Sequence, residues 1–542
     1  MANRWISALP VLTALLPALA FGQTIPATQG AVAPATTGPL PATQAIMVRE
    51  FRFTGNTVFT GAELRALVSD YLGRELTFEQ LDDARRKVTQ HYVGQGYVTS
   101  GAILPEQTIT DGVVWIHVVE GRLERLDISG NSGLNSGYFA DRLAPSLRPP
   151  LRINAVKDAM ELLQQDPRLA AVQGRLLPGR EPGLAVFDLQ VHEARPYQVG
   201  LQFDNAGTPS TGAERLALVA SHLNLTGVGD TLSLRFGPMA GGVSNPEFAP
   251  SNDILVQYSR PIIGDSTRMN LFFARNDLSL VEPPLSVLGS DTVTNSAAVS
   301  LQQTLFHTPR DEMNLTLALS RRDNLTRLLG QSFSFSDGAV DGSMVSTALR
   351  TSLDWTARSD VYAISARSTL SVGLDALGAT MHPDSQPDSR FVSWLGEVQQ
   401  VWRIQPLEST LLSRASIQLA GQRLLALEQF SMGGMDTVRG YRENYLLTDN
   451  AALFSMELRK NLLPSWYGLS VDGALFADVG YGWDHGRSSG GKTLAGVGCG
   501  LLFDLAQHVQ GTIYFGVPLC NQGAGDNLQD LGINFQILVK AF

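Results

Sequence analysis

The sequence predicts a mainly β protein, a 16-stranded transmembrane β-barrel preceded by two small α+β repeats. Three observations predict it. An apolar run with export features opens the chain, two tandem stretches of mixed helix and strand periodicity follow, and strict period-two alternation occupies everything from Arg195 onward. The composition agrees: charged residues are 17% of the 542, below the ordinary quarter, and glycine is abundant at 52. Few charges and many glycines suit a chain of strands and turns.

The opening residues, "MANRWISALPVLTALLPALAFGQ", place Arg4 ahead of an apolar run that ends in small residues, with Ala18-Leu19-Ala20 or Ala20-Phe21-Gly22 as a cleavage site. Residues 1–22 read as a secretory signal peptide rather than an anchor, because Pro10 and Pro17 interrupt the run and it falls short of the ~20 clean apolar residues of a spanning helix. Residues 23–45, rich in Ala, Thr, Pro and Gln with no 3.6-residue period, read as a disordered linker.

Residues 46–121 then run in the order strand, helix, helix, strand, strand. "MVREFRFTGN" is a strand, "GAELRALVSDYLG" and "TFEQLDDARRKVTQHYVGQGY" carry helical spacing, and strands lie near 98–104 and 113–119. Thr77 with Gln80 forms a capping box. After Glu120-Gly121 the order begins again over 122–194: "RLERLDISGN", helices near 137–145 and 154–164, strands near 170–177 and 184–192. Phe53-Thr54-Gly55-Asn56 returns as Ile128-Ser129-Gly130-Asn131, 75 positions later (130 minus 55). A Gly-Asn pair alone marks only a turn; its return in the same structural slot marks a duplicated module.

From 195 to 542 the alternation is clearest in Met313-Asn314-Leu315-Thr316-Leu317-Ala318-Leu319-Ser320. About sixteen such segments fit, at roughly 22 residues per strand and connection. A soluble sandwich would show the same alternation. Export, an even and large strand count, and connections that alternate short with long, such as 504–507 against 422–449, favour a membrane barrel. Lipid offers the backbone no hydrogen-bond partner, so a closed barrel is the all-β structure that spans it. The last outward set, Leu531, Ile533, Phe535, Ile537 and Val539, is odd-numbered while Phe542 is even, which requires a bulge or a frayed end there.

Several chemistries are disfavoured. A net charge of -10 and a pI near 5.4 leave no basic excess for nucleic acid. The eight His are scattered without metal spacing. Cys499 and Cys520 read as unpaired: on a hairpin at about 493–518 turning near 505–506, Cys499 falls opposite roughly residue 512. "GRSSGGKT", residues 486–493, matches a phosphate-loop pattern literally, yet "LAGVGCGLLF" follows it, a Gly-rich strand rather than the helix whose N–H groups would meet a phosphate. No activated nucleophile or carboxylate pair stands out. The reading is therefore no enzyme, no cofactor and no metal.

One stretch breaks the pattern. "MDTVRGYREN", residues 435–444, lies in the 28-residue connection 422–449, which by strand count joins strands eleven and twelve on the external side. On strand thirteen, with Leu469, Val471, Leu475 and Ala477 facing lipid, Asp472, Phe476 and Asp478 face the lumen. An acid there is expensive unless paired, and a loop folded into the lumen brings Arg439 to Asp478 as a charge-assisted fork.

"VRGY" (Val438, Arg439, Gly440, Tyr441) after the eleventh strand, "FADVG" (Phe476, Asp478 and Gly480 among them) on the thirteenth, and two POTRA-like repeats over 46–121 and 122–194 resemble the outer-membrane transporters of two-partner secretion, the haemolysin and haemagglutinin secretion proteins. The resemblance covers about residues 46–542. It implies a protein of the Gram-negative outer membrane with its repeats in the periplasm, a gating loop whose arginine meets the barrel-wall aspartate, and pore character. It also implies, as client, a large β-helical secreted exoprotein, recognised unfolded at repeat edges, exported without ATP and in some relatives activated; lipid and the outer-membrane assembly machinery are further partners. Many relatives carry an N-terminal plug helix, for which residues 23–45 are too Pro-rich and Leu-poor. An insertase that assembles other barrels shares the loop and aspartate motifs but usually has three or five repeats, and a passive porin would need none.

Overall fold

The computed structural model describes residues 45–240, 248–282, 286, 289–384, 386–486, 490–520, 525 and 527–541. The expected signal peptide, almost all of the expected linker, and Phe542 lie outside the described residues. Contacts divide the chain into two compact units: Glu193–Phe542 goes with Ser132–Tyr138, and the remainder of the two repeats forms the other.

The first repeat contains strands Ile46–Val48 and Glu50–Thr54, helices Gly61–Leu67 and Phe78–Gly94, and strands Gly101–Ile103 and Val113–Val119. Thr77 caps the second helix, with its side chain accepting from Gln80 N and the Gln80 side chain returning the bond. The first helix is shorter than its apolar spacing predicts. It stops at Leu67, a 3-10 turn spans Ser69–Tyr71, and Arg74–Leu76 pairs as a strand with Ile46–Val48. The second repeat keeps the strand, helix, helix, strand, strand order without counterparts of Ile46–Val48 and Arg74–Leu76, in strand Arg122–Ser129, helices Ser136–Leu143 and Ile153–Gln164, and strands Leu169–Pro178 and Leu184–Glu193. Each sheet places its last strand in the middle, parallel to the first.

The Gly-Asn recurrence has a physical cause. Gly55 and Gly130 sit at φ +77° and +83°, and a Cβ on either would lie 2.2 Å from a backbone oxygen, of Val118 or Val191. Behind each glycine a glutamate at the end of the last strand collects the turn's amides. Glu120 accepts from Thr57 N at 2.6 Å and Val58 N at 2.9 Å. Glu193 accepts from the N–H of Ser132 at 2.7 Å and of Leu134 at 3.0 Å.

The barrel closes with sixteen long strands in chain order, the sixteenth (Ile533–Lys540) pairing antiparallel with the first (Tyr197–Asp204). Alternation sorts the side chains. On the seventh strand, Asp311–Leu328, Leu315, Leu317 and Leu319 point outward and are exposed, whereas Asn314 and Ser320 are buried. Rows of exposed leucine would be a liability in water; against lipid they are the membrane face.

The Cys499 register differs from expectation. Leu505 pairs with Val509, so the turn takes three residues, Cys499 lies opposite Phe515 instead of 512, and Cys520 falls beyond the strand end; both thiols are free. The last strand begins at Ile533, which leaves Leu531 in the preceding turn. Lys492 and Thr493 open the fourteenth strand, Lys492–Leu505, so a strand follows the phosphate-loop-like stretch; Arg487, Ser488 and Ser489 lie outside the described residues.

Candidate functional site: the loop folded into the barrel

The eleventh strand ends at Ala420 and the twelfth begins at Asn450. The connection between them turns into the lumen. A short antiparallel pair, Phe430–Met432 with Leu446–Thr448, forms its stem. Phe430, Met432, Val438, Tyr441 and Leu446 pack with wall residues Ala451, Leu453 and Leu494 in one buried cluster. Apolar burial therefore supplies part of the docking.

Arg439 supplies the rest. Its backbone N donates to Asp478 Oδ2 at 3.0 Å, its Nε to the same oxygen at 2.8 Å, and its Nη2 to Asp478 Oδ1 at 2.8 Å. The guanidinium also bonds Glu457 through Nη1 and reaches Ser455 Oγ at 3.3 Å. Ser455 in turn donates to Asp478 Oδ1 at 2.7 Å. The guanidinium carbon lies 3.6 Å from the ring centre of Phe476 and 4.8 Å from that of Tyr514, and these rings meet edge to face at 89°. Arg439, Glu457 and Asp478 are each no more than 5% exposed. Every donor of the fork thus meets an acid, a hydroxyl or a π face, as a buried cation requires.

The expected wall residues fall where the alternation puts them. On strand thirteen, Leu469–Trp483, Phe476 and Asp478 face inward beside Arg439 while Leu475 is 63% exposed on the outer face. Gly480 makes room: a Cβ there would sit 2.8 Å from Met432 Sδ and 3.2 Å from Val438 Cγ2. Gly440, at φ +94°, reverses the chain between Arg439 and Tyr441. The Tyr441 hydroxyl lies 3.1 Å from the carbonyl oxygens of Ala495 and Cys520 and accepts from Cys520 N at 3.1 Å. Burial raises its phenol above the ordinary value, so it stays protonated.

Sequence reasoning missed Ser455, Glu457 and Tyr514, and with them two wall glycines. A Cβ on Gly496 would lie 2.1 Å from Arg439 O, and one on Gly516 2.6 Å from Gly440 N. A signal for the acid was present: Ser455, Glu457 and Arg459 occupy one alternating face of strand twelve, and Arg459 pairs with Glu457. Farther along the loop, Arg442 bonds Asp530 at 2.7 Å and Glu282 at 2.8 Å, contacts that raise its pKa.

Residues 183–503 match the family model described as haemolysin secretion/activation protein ShlB/FhaC/HecB, and residues 46–121 match the POTRA domain, ShlB-type. The outer membrane transporter CdiB of Dickeya dadantii is 27% identical over 432 residues, 76% of this chain and 72% of that protein. The outer membrane transporter CdiB of an Escherichia coli strain is 26% identical over 513 residues, 90% of this chain and 82% of its own. The solved structure of CdiB from Escherichia coli superimposes with a TM-score of 0.70 at 23% identity, covering 94% of this chain and 93% of that one.

Proposed function

The chain belongs to the haemolysin secretion/activation family ShlB/FhaC/HecB, and from that premise we propose that the loop around Arg439 is the gate through which it passes its client. The protein is an outer-membrane transporter of two-partner secretion with its repeats in the periplasm. Residues 1–22 direct its export, and 46–121 and 122–194 are the two periplasmic modules. The client is a large β-helical exoprotein that arrives unfolded and adds as a strand to a repeat edge, through main-chain hydrogen bonds that tolerate varied side chains. Without ATP, folding outside makes passage vectorial, because a folded domain lies about 5 kcal/mol or more below the unfolded chain.

One observation carries the gate. The buried Arg439 guanidinium holds the loop to the wall with its bonds concentrated on Asp478, and removing one member of such a pair costs roughly 3–5 kcal/mol. A contact of that kind has two discrete states, made and broken.

The test is secretion of a neighbouring exoprotein into culture medium with this chain deleted, restored, and restored as Arg439→Ala. Loss on deletion, return with wild type and failure with the variant are expected, with the variant barrel still inserted. Normal export by Arg439→Ala refutes the assigned role, and indifferent secretion with other barrels depleted points to the insertase.

A further inference from the structure

We infer that the same loop has a further ionic anchor of opposite polarity, Glu428 against Arg350 and Arg322, so that the loop is a strap pinned to two separate stretches of the barrel wall and Glu428 is a positioning residue for the gate. The inference rests on the gating role proposed for the loop and extends it to strands seven and eight.

Glu428 lies eleven positions before Arg439 and is 6% exposed. Its two carboxylate oxygens accept from Arg350 Nη2, at 2.9 and 2.8 Å, and one of them also accepts from Ser346 Oγ at 2.9 Å. Arg322 Nη1 lies 3.7 Å from the same carboxylate and donates to the neighbouring Leu427 O at 2.7 Å. Arg350 is itself held, by Ser320 Oγ at 3.0 Å and Ser371 Oγ at 2.9 Å. These partners stand on the seventh strand (Asp311–Leu328), the eighth (Ser343–Arg358) and the ninth (Tyr362–Gly373).

Arg439 meets its acids on strands twelve (Asn450–Trp466) and thirteen, and the Tyr514 ring on strand fifteen (Val509–Pro518). In the closed ring of sixteen, the acids on twelve and thirteen stand five strands round from the arginines on seven and eight. The loop thus offers an anion to a cationic wall and a cation to an anionic wall. A loop held at Arg439 alone would need no ionic partner five strands away. Apolar contacts accompany the Glu428 anchor, with Leu425 and Leu427 buried against Met344. To clear the lumen, the strap must surrender both pairs, together with the bonds of Arg442 to Asp530 and Glu282.

Charge alone and anchoring make different predictions. Glu428→Gln and Arg350→Gln alter the lumen charge in opposite directions, but each breaks the same pair. The full-length protein, reconstituted in planar lipid bilayers without any client, reports the fraction of time in the high-conductance state and the reversal potential in a salt gradient. Both variants are expected to raise the open fraction at least about tenfold, a small part of what a broken buried pair costs, while moving the reversal potential in opposite directions. Ser346→Ala, which removes one bond and no charge, is expected to raise the open fraction less and leave the reversal potential alone. Barrel integrity is read from the electrophoretic mobility of unboiled samples. Open fractions at the wild-type level, or moving in opposite directions for the two charge variants, overturn the second anchor. Arg439→Ala in the same membranes separates the two ideas: if it opens the channel while the Glu428 and Arg350 variants do not, only the second anchor falls. If Arg439→Ala leaves the channel closed, the gate reading falls and the strap with it.

Discussion

Gly496→Ala is the smallest change that should dislodge the loop without touching a charge. The added Cβ would lie 2.1 Å from the carbonyl oxygen of Arg439 and 3.3 Å from its carbonyl carbon. Ordinary carbon–oxygen contact needs about 3.3 Å, so the oxygen must retreat by roughly 1 Å. The atom that must move is backbone, one residue's length from the fork, and no side-chain rotation relieves it. A shift of that size stretches the 3.0 Å bond from Arg439 N to Asp478 and the two 2.8 Å bonds beside it past useful length. Hydrogen bonds to a charged partner contribute about 1.5–3 kcal/mol each. Losing two of the three costs about 3–6 kcal/mol of docked loop, a 10²-fold or larger change in its closing equilibrium. The wall itself is spared, because alanine suits a strand interior better than glycine does. Amide hydrogen exchange on the full-length protein in nanodiscs should show residues 430–448 losing about 10²-fold or more of protection while strands thirteen to fifteen keep theirs. Gly490→Ala, where a Cβ meets nothing within 4 Å, is the matched control. Wild-type protection of the loop in Gly496→Ala would refute the claim that wall glycines admit it.

Two further predictions concern neutral groups and pH. Tyr441→Phe removes a hydroxyl that Cys520 N donates to at 3.1 Å; the half-buried amide loses its partner, and loop closure should weaken by about 1 kcal/mol, read as faster exchange of residues 430–448 with the barrel unchanged. In the first repeat, burial pushes the Glu120 carboxyl up, but bonds from Thr57, Val58 and Tyr92 outweigh it and hold it below its ordinary range. A lowered folded pKa adds stability that is complete above the ordinary carboxylate value and is lost as pH falls through the lowered one, so protection of the 55–58 turn should drop below about pH 4. Glu120→Gln should be less protected near neutral pH and lose that acid dependence.

What was legible in the sequence depended on whether the cause was local. The lipid face repeats every second residue because water and lipid lie on opposite sides of a one-layer wall, so strand count and the inward pointing of Asp478 were readable. Gly55 and Gly130 were legible through recurrence. The three-residue turn after Leu505 was not, because Ala506 and Gln507 adopt φ of +51° and +64° with no glycine to announce it, and every partner of Cys499 shifted accordingly. Glu428 carried no signal either. Its partners lie 78 and 82 positions away on another wall, and only closure of the barrel brings them to it.

The choice of ion pairs for the anchors itself argues for a loop that leaves. A buried pair adds little net stability over a well-packed apolar substitute, since desolvation offsets most of the attraction, yet breaking it by removing one partner is costly. For a permanent plug, leucine in place of Arg439 and Asp478 would serve as well. For a gate, the charges have a second use: when Arg439 and Glu428 withdraw, water fills the lumen and rehydrates both walls, so the open state recovers the desolvation that the closed state had absorbed. An apolar wall offers no such recovery, and would instead present a sticky surface to an unfolded chain in transit. On the proposed gating role, an ionic strap would therefore keep the closed and open states close in free energy, as export without ATP requires.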